Sequence, residues 1–158
     1  MRSKAFAKKV VQSFVRMGAP VVIVNPTWTV GPGVVFMTPV AQAIRSVIQG
    51  QQPSLSPAGI NIVDVDDVGE GHCLAEEKGR IGSRYLLADE NVVYSDFQDE
   101  ISGAAGVPSL PVLDSAPSSF PKDYLWYDST LARQELGWSS RPLRETVKRA
   151  VDYLRSQL

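Results

Sequence analysis

The hydrophobic and polar positions of this chain change period along its length, and each change marks an element. Over residues 3–17, Phe6, Ala7, Val10, Val11, Phe14 and Val15 fall on one stripe, with Lys4, Lys8, Lys9, Gln12 and Arg16 largely outside it. That is the 3.6-residue period of a helix with one buried face. Gly18 punctuates its end, and Ala19-Pro20-Val21-Val22-Ile23-Val24 follows without alternation. Such a β-branched run predicts a strand covered on both faces, as in a parallel sheet. Residues 25–33 read as a Pro/Gly loop, 39–49 as a second helix ended by Gly50, and 51–59 as a polar connection.

Residues 60–65 predict a short strand. A helix runs from there to Lys78, with Asp66 or Asp67 accepting backbone N–H bonds at its start and Gly79 as its stop. Residues 84–88 predict another strand, and 95–103 a short helix capped by Ser95. Pro108, Pro111, Pro117, Pro121 and several serines make 107–121 a linker, which divides the chain into 1–106 and a carboxyl-terminal helical segment, 122–158. In that segment 128–136 is a helix closed by Gly137. Pro142 starts the last helix, with Leu143, Val147, Ala150, Val151 and Leu154 on one stripe. No internal repeat is apparent.

A chain of 158 residues with 44% hydrophobic content can bury one sizeable core. Its net charge of −1 is unevenly spread: Arg2, Lys4, Lys8, Lys9, Arg16 and Arg45 all precede the first acidic residue, Asp64. The simpler reading is a solvated helix face that meets acidic surface elsewhere. The sharper one is an organelle transit peptide or membrane-surface helix over 1–17. The basic residues lack interleaved aromatics, so nucleic acid is not an expected partner. No signal-peptide core and no apolar run of about 18 residues occurs, so a membrane span is not expected and a cytoplasmic protein is.

Cys73 is the only cysteine and His72 the only histidine, so no intramolecular disulfide, no cysteine-rich cluster and no metal site are expected. Neighbours on a helix point about 100° apart, which argues against a His72–Cys73 dyad. Asp64, Asp66 and Asp67 could form a paired-carboxylate site, but a strand end leading into a capped helix explains them more simply.

The order of motifs carries more. Ser3-Lys4 before the first helix and strand, Asn25-Pro26-Thr27 with Val30-Gly31-Pro32-Gly33, Val63-Asp64-Val65-Asp66-Asp67-Val68, and Tyr127-Asp128 with Glu135-Leu136-Gly137-Trp138 run across nearly the whole chain. Together they resemble the carboxyl half of an extended short-chain dehydrogenase/reductase. The nearest look-alikes are NAD-dependent epimerase/dehydratases, dihydroflavonol-reductase-like enzymes and hopanoid-associated sugar epimerases. The resemblance implies an α/β, partial Rossmann-like fold, truncated at its amino side, with a carboxyl-terminal substrate-binding lobe.

In that family a Tyr-x-x-x-Lys pair starts the helix seen here, and an ammonium four residues from a phenol on one helix face favours the phenolate. Lys4 matches the lysine, as a catalytic residue that also holds the nicotinamide ribose; the tyrosine would fall immediately before Met1. By the same resemblance Pro26 and Thr27 flank the nicotinamide of NAD or NADP through backbone contacts, with Asn25 and Thr38 nearer the substrate. Trp28 is a pocket wall or plain core, the latter favoured. The chain departs from the family in carrying Val34 where relatives usually have an aspartate, and only the 107–121 linker where they have a longer helical insertion.

No G-x-G-x-x-G turn joins a strand to a helix anywhere in the chain, and such a turn is what brings backbone N–H groups to a pyrophosphate. Gly31-Pro32-Gly33 does not replace it, since Pro32 has no N–H. The cofactor is therefore not expected to bind this chain alone. Three functions follow as expectations: the carboxyl portion of an NAD(P)-dependent epimerase or reductase acting on a nucleotide-sugar or dihydroflavonol-like carbonyl compound, inactive by itself; half of a split enzyme completed by a separate amino-terminal polypeptide; or a non-catalytic interaction module. Association is expected in each, with an amino-terminal half or a second copy through helix 3–17.

Overall fold

The amino-terminal stripe forms a helix, α1 (Arg2–Arg16), in a computed structural model that describes residues 2–33, 36–51, 59–111 and 124–158, with the side chains of Arg2, Lys4 and Ala5 outside the description. The apolar run after it enters β1 (Ile23–Pro26), which is shorter than the run. Pro20 cannot donate to a ladder, and the Val21 N–H turns back to the Ala19 carbonyl at 2.9 Å. Residues 25–33 are not wholly loop: they contain β2 (Trp28–Val30). Its three residues are β-prone but too few for a period to register. α2 (Pro39–Ile48) follows, with Thr38 Oγ1 accepting from the Ala41 N–H at 3.2 Å and Pro39 in the first turn.

β3 (Gly59–Asp64) is buried along its whole length and is the centre of the molecule. Alternation sends Ile60 and Ile62 into one core and Val63 into the other. It pairs parallel with β2, and antiparallel with β5 (Glu90–Val93), a strand the hydrophobic pattern missed. A second sheet joins β1 in parallel to β4 (Arg84–Leu87), with Ile23 opposite Arg84 and Asn25 opposite Leu86. Among the described residues β1 pairs along this edge alone.

Two capping assignments are corrected. The N-cap of α3 (Val65–Lys78) is Asp64, whose Oδ1 accepts from the Asp66 N–H at 2.9 Å, so Asp66 and Asp67 lie inside the helix. α4 (Tyr94–Ala105) starts after Val93 with no side-chain cap, and Ser95 Oγ bonds Asp96 Oδ1 at 3.1 Å instead. α5 (Thr130–Leu136) closes at Gly137, in the left-handed region at φ +69°, and α6 (Leu143–Arg155) ends the fold.

The helices divide between the two cores. Ile44 and Val47 of α2, Phe97 and Ile101 of α4, and Val147 and Val151 of α6 pack with Ile60 and Ile62. Tyr85 and Leu87 of β4, Ala132 and Leu136 of α5, Trp138 and Ala75 of α3 pack with Val63. Most of the polar connection 51–59 and of the linker 107–121 lies outside the described residues. No helix among the described residues is long and apolar enough to cross a membrane.

Candidate functional site

Of the residues expected from sequence to form the site, Asn25, Pro26 and Thr27 stand together where β1 hands over to β2. Pro26 ends β1, and the Thr27 N–H continues its ladder to the Leu87 carbonyl at 3.1 Å. Thr27 Oγ1 donates to Asn61 Oδ1 at 2.7 Å. Asn61 Nδ2 donates to Asn91 Oδ1 at 2.8 Å, and Asn91 in turn exchanges two bonds with the Tyr127 backbone, at 2.9 and 3.0 Å. This chain of amides ties Thr27 through β3 and β5 to the segment beyond the linker. The Leu125 N–H adds a bond to the Gly59 carbonyl at 2.9 Å.

Asn61 and Asn91 escaped the sequence reading because they are opposed across an antiparallel register, and no local pattern marks such a pair. The detectable signal was an asparagine inside an otherwise apolar strand, since a buried amide needs partners.

Asn25, one residue before Pro26, lies in β1, and its Oδ1 is buried with no hydrogen-bond partner among the described residues. It also lines an open groove of about 630 Å³ between α1 and β1, together with Ala7, Val11, Ile23, Val24 and Arg84. Lys4 stands on α1, and its side chain lies outside the description.

Trp28 and Thr38 meet at a different place. With Thr29, Pro39 and Val40 they line a cavity of about 330 Å³ between β2 and α2. Trp28 also packs against the core around Ile44, so its ring serves both surfaces. Beyond β2, Gly31 at φ +139° passes so close to α3 that a Cβ there would stand 2.7 Å from Val65 Cγ1, which makes the Gly-Pro-Gly turn a packing requirement.

Three helix starts carry groups that disfavour a pyrophosphate. Thr38 and Pro39 occupy the start of α2, the Asp64 carboxylate that of α3, and α4 carries Asp96 in its first turn.

The aspartates after β3 form an ion network with α6. Asp64 takes Arg149 on both oxygens at 3.0 Å, Asp66 also pairs with Arg149, and Asp67 receives the Arg141 backbone N–H at 2.8 Å and its guanidinium at 2.7 and 2.9 Å. Burial is the largest influence on Asp64 and Asp67 and pushes both carboxyls above their ordinary range, against the pull of Arg149. Every carboxylate here has a cation or an N–H partner, so the cluster fastens α6 to the β3–α3 junction.

Other reactive groups divide between those engaged by partners and those buried without one, the Tyr94 hydroxyl being of the second kind among the described residues. Tyr85 donates to Glu135 Oε2 at 2.6 Å and accepts the Arg80 N–H at 3.0 Å. Tyr94 is buried in the core, and burial pushes its phenol up. His72 Nδ1 lies 2.7 Å from the Val68 carbonyl on an exposed helix face. Among the described residues no group of three His, Cys, Asp or Glu could hold a metal ion.

No protein-family model matches the chain. It is 28% identical, over 98% of its length, to a putative dihydroflavonol 4-reductase of Synechocystis, of which it covers 54%. The crystal structure of gox2253 matches with a TM-score of 0.86 and 31% identity over 96% of this chain and 54% of that one. PA4631, described as a nucleoside-diphosphate-sugar epimerase from Pseudomonas aeruginosa, matches with a TM-score of 0.79 and 27% identity over 98% and 54%. Structures at 17% and 19% identity that share the fold include complexes with NADPH and with NAD+. The chain spans about half the length of the curated relatives it matches. Its fold is the Rossmann-type α/β architecture of these reductases and epimerases, and its relatives are those expected of a portion of an extended short-chain dehydrogenase/reductase.

Proposed function

From this kinship we propose that the chain is the substrate-side portion of an NAD(P)-dependent reductase or epimerase, inactive by itself and completed by an amino-terminal portion of the same fold. The observation that carries the reading is the open edge of β1, flanked by the groove beneath α1, which Lys8 and Arg84 also line, and by the Asn25 Oδ1 that has no partner among the described residues. A further parallel strand laid against β1 would satisfy that edge, cover the groove and bring its own strand-to-helix turn to the pyrophosphate.

In the completed enzyme the nicotinamide supplies hydride transfer. By the resemblance, Lys4 on the first turn of α1 would hold the ribose, and its ammonium would favour the ionised form of a phenol supplied four residues earlier on the same helix face. The backbone of Pro26 and Thr27 borders the nicotinamide, kept in place by the Asn61–Asn91 chain. Asn25 would offer its side-chain oxygen as an acceptor to a hydroxyl of the substrate or to an N–H of the added portion. The substrate is a nucleotide sugar or a dihydroflavonol-like compound, in keeping with the named relatives.

The test is a chimera in which the amino-terminal half of the Synechocystis relative precedes this chain. NADPH binding and hydride transfer are expected from it, with Lys4→Ala lowering turnover about 100-fold or more, the usual scale for losing acid–base assistance. A folded chimera that binds no NADPH, or one indifferent to Lys4→Ala, would overturn the reading.

A second reading has its own support. Phe6 and Phe14 on α1 are 69% and 51% exposed, and Met17 just beyond its end is 71% exposed, which suits an association surface for a second copy of the chain.

A further inference from the structure

We propose that the outer face of α1 docks on an anionic lipid bilayer, a role separate from the enzymatic reading above. Phe6, Val10 and Phe14 follow one another at intervals of four residues, and Met17 comes three residues later. At 3.6 residues per turn all four share one side of the helix, and all four are exposed. The turn that abuts this end of α1, where a Cβ on Gly82 would stand 3.0 Å from Val15 Cγ1, carries a further exposed apolar residue, Ile81.

Cations flank the stripe. Lys9 and Arg16, seven residues apart, run along one edge of it, and Lys8 lies farther round, where it lines the groove with Arg84. Among the described residues none of the three cations of α1 enters an ion pair. No Asp or Glu precedes Asp64 in the sequence.

An apolar stripe edged by cations suits a helix lying in the plane of a bilayer surface. Among the described residues no helix is long and apolar enough to span one. The rings and the thioether reach the acyl boundary, while the ammonium and guanidinium stay at headgroup level on their flexible stems. Anionic headgroups then supply the partners that Lys9 and Arg16 lack. The whole chain carries a net charge of −1, so attraction to a negative surface has to come from this local patch.

A second copy fits the face less well. Two α1 helices laid together would cover the stripe, but neither carries an acid to meet Lys9 and Arg16. In water the stripe drives self-association, and a vesicle competes for it.

Flotation of the chain through a density gradient tests this, with vesicles of phosphatidylcholine alone and of equal parts phosphatidylcholine and phosphatidylglycerol. The chain is expected to rise with the mixed vesicles and to stay behind with the neutral ones. Raising ionic strength to about 1 M, where the screening length falls to about 3 Å, should lower the bound fraction. Lys9→Gln/Arg16→Gln should weaken binding about tenfold or more, the scale of two cations lost near an anionic surface, and Phe6→Glu/Phe14→Glu should abolish it.

The unaltered chain gives a second readout through methyl-labelled methionine. In mixed-lipid bicelles that carry a spin-labelled lipid, the Met17 methyl resonance should broaden while that of Met37 stays sharp. Equal flotation with both vesicle types, flotation unchanged in Phe6→Glu/Phe14→Glu, or a Met17 resonance indifferent to the spin label would overturn the inference. A self-associated chain that floats with neither vesicle would also overturn it, leaving the face to a second copy. No arm requires cofactor or an added amino-terminal portion, so this result and that of the chimera are independent.

Discussion

Asp64 shows how much one side chain can hold in this fold. It ends β3, caps α3 through the Asp66 N–H and receives the Arg149 guanidinium while fully buried. Removing one partner of a buried ion pair leaves the other uncompensated, so Asp64→Ala should cost about 3 kcal/mol or more. Urea denaturation will read this as a lowered midpoint, and Asp64→Asn, which keeps the cap acceptor, should lose less. Gly31→Ala should cost about 1–3 kcal/mol, because it places a side chain in a strained backbone region against Val65; the same melts check it.

Asp89 offers a pH test. Burial raises its carboxyl above the ordinary 3.8, outweighing its bond to Ser140 and the charge of Arg133. A raised folded-state value means that the folded protein holds this proton more tightly than the unfolded chain. The stability it contributes is therefore full below pH 3.8 and is lost as pH rises through the raised value. Asp89→Asn cannot titrate, so its urea midpoints should fall less steeply than the wild type's as pH rises above 3.8. Parallel pH profiles for the two proteins would contradict this assignment.

At the scale of elements, α1 is the least covered. Its stripe predicts a helix with one buried face, yet Phe6, Val10 and Phe14 of that stripe face solvent and only its inner side meets the rest of the chain, across a groove beside β1. Exposed apolar surface next to an open strand edge favours association. Sedimentation velocity should find assemblies larger than a monomer that shrink in Phe6→Glu/Phe14→Glu. A concentration-independent monomer in the wild type would contradict this.

The long periodic elements were legible in the sequence. Leu143, Val147, Ala150, Val151 and Leu154 are all buried on α6, as their spacing requires. β2 and β5 were not, because three or four residues cannot establish a period, and the pairing that makes them strands comes from β3, far away in sequence. The α3 cap slipped to Asp64 for a related reason: strand and helix adjoin with no residue between them, so local preference leaves the boundary free by a position or two. Of the candidate site, the Asn25-Pro26-Thr27 turn was legible as a motif, and the structure brings Trp28 and Thr38 to one cavity. The Asn61–Asn91 relay that holds Thr27 is a tertiary fact, invisible to spacing.

For the molecule as a whole, the two cores share one strand, and its carboxyl-terminal helices lie on both: α6 against the sheet of β2, β3 and β5, α5 against β4. What lies open is the β1 edge, with Asn25 and the groove beside it. The proposed function has this chain face substrate and nicotinamide and rely on an amino-terminal portion to hold the cofactor's phosphates. Titrating NADPH and NADH into the isolated, folded chain, with calorimetry alongside tryptophan fluorescence, tests that most directly. The account predicts no saturable binding. Saturable binding at micromolar concentration would contradict it, since a pyrophosphate site would then exist within this chain.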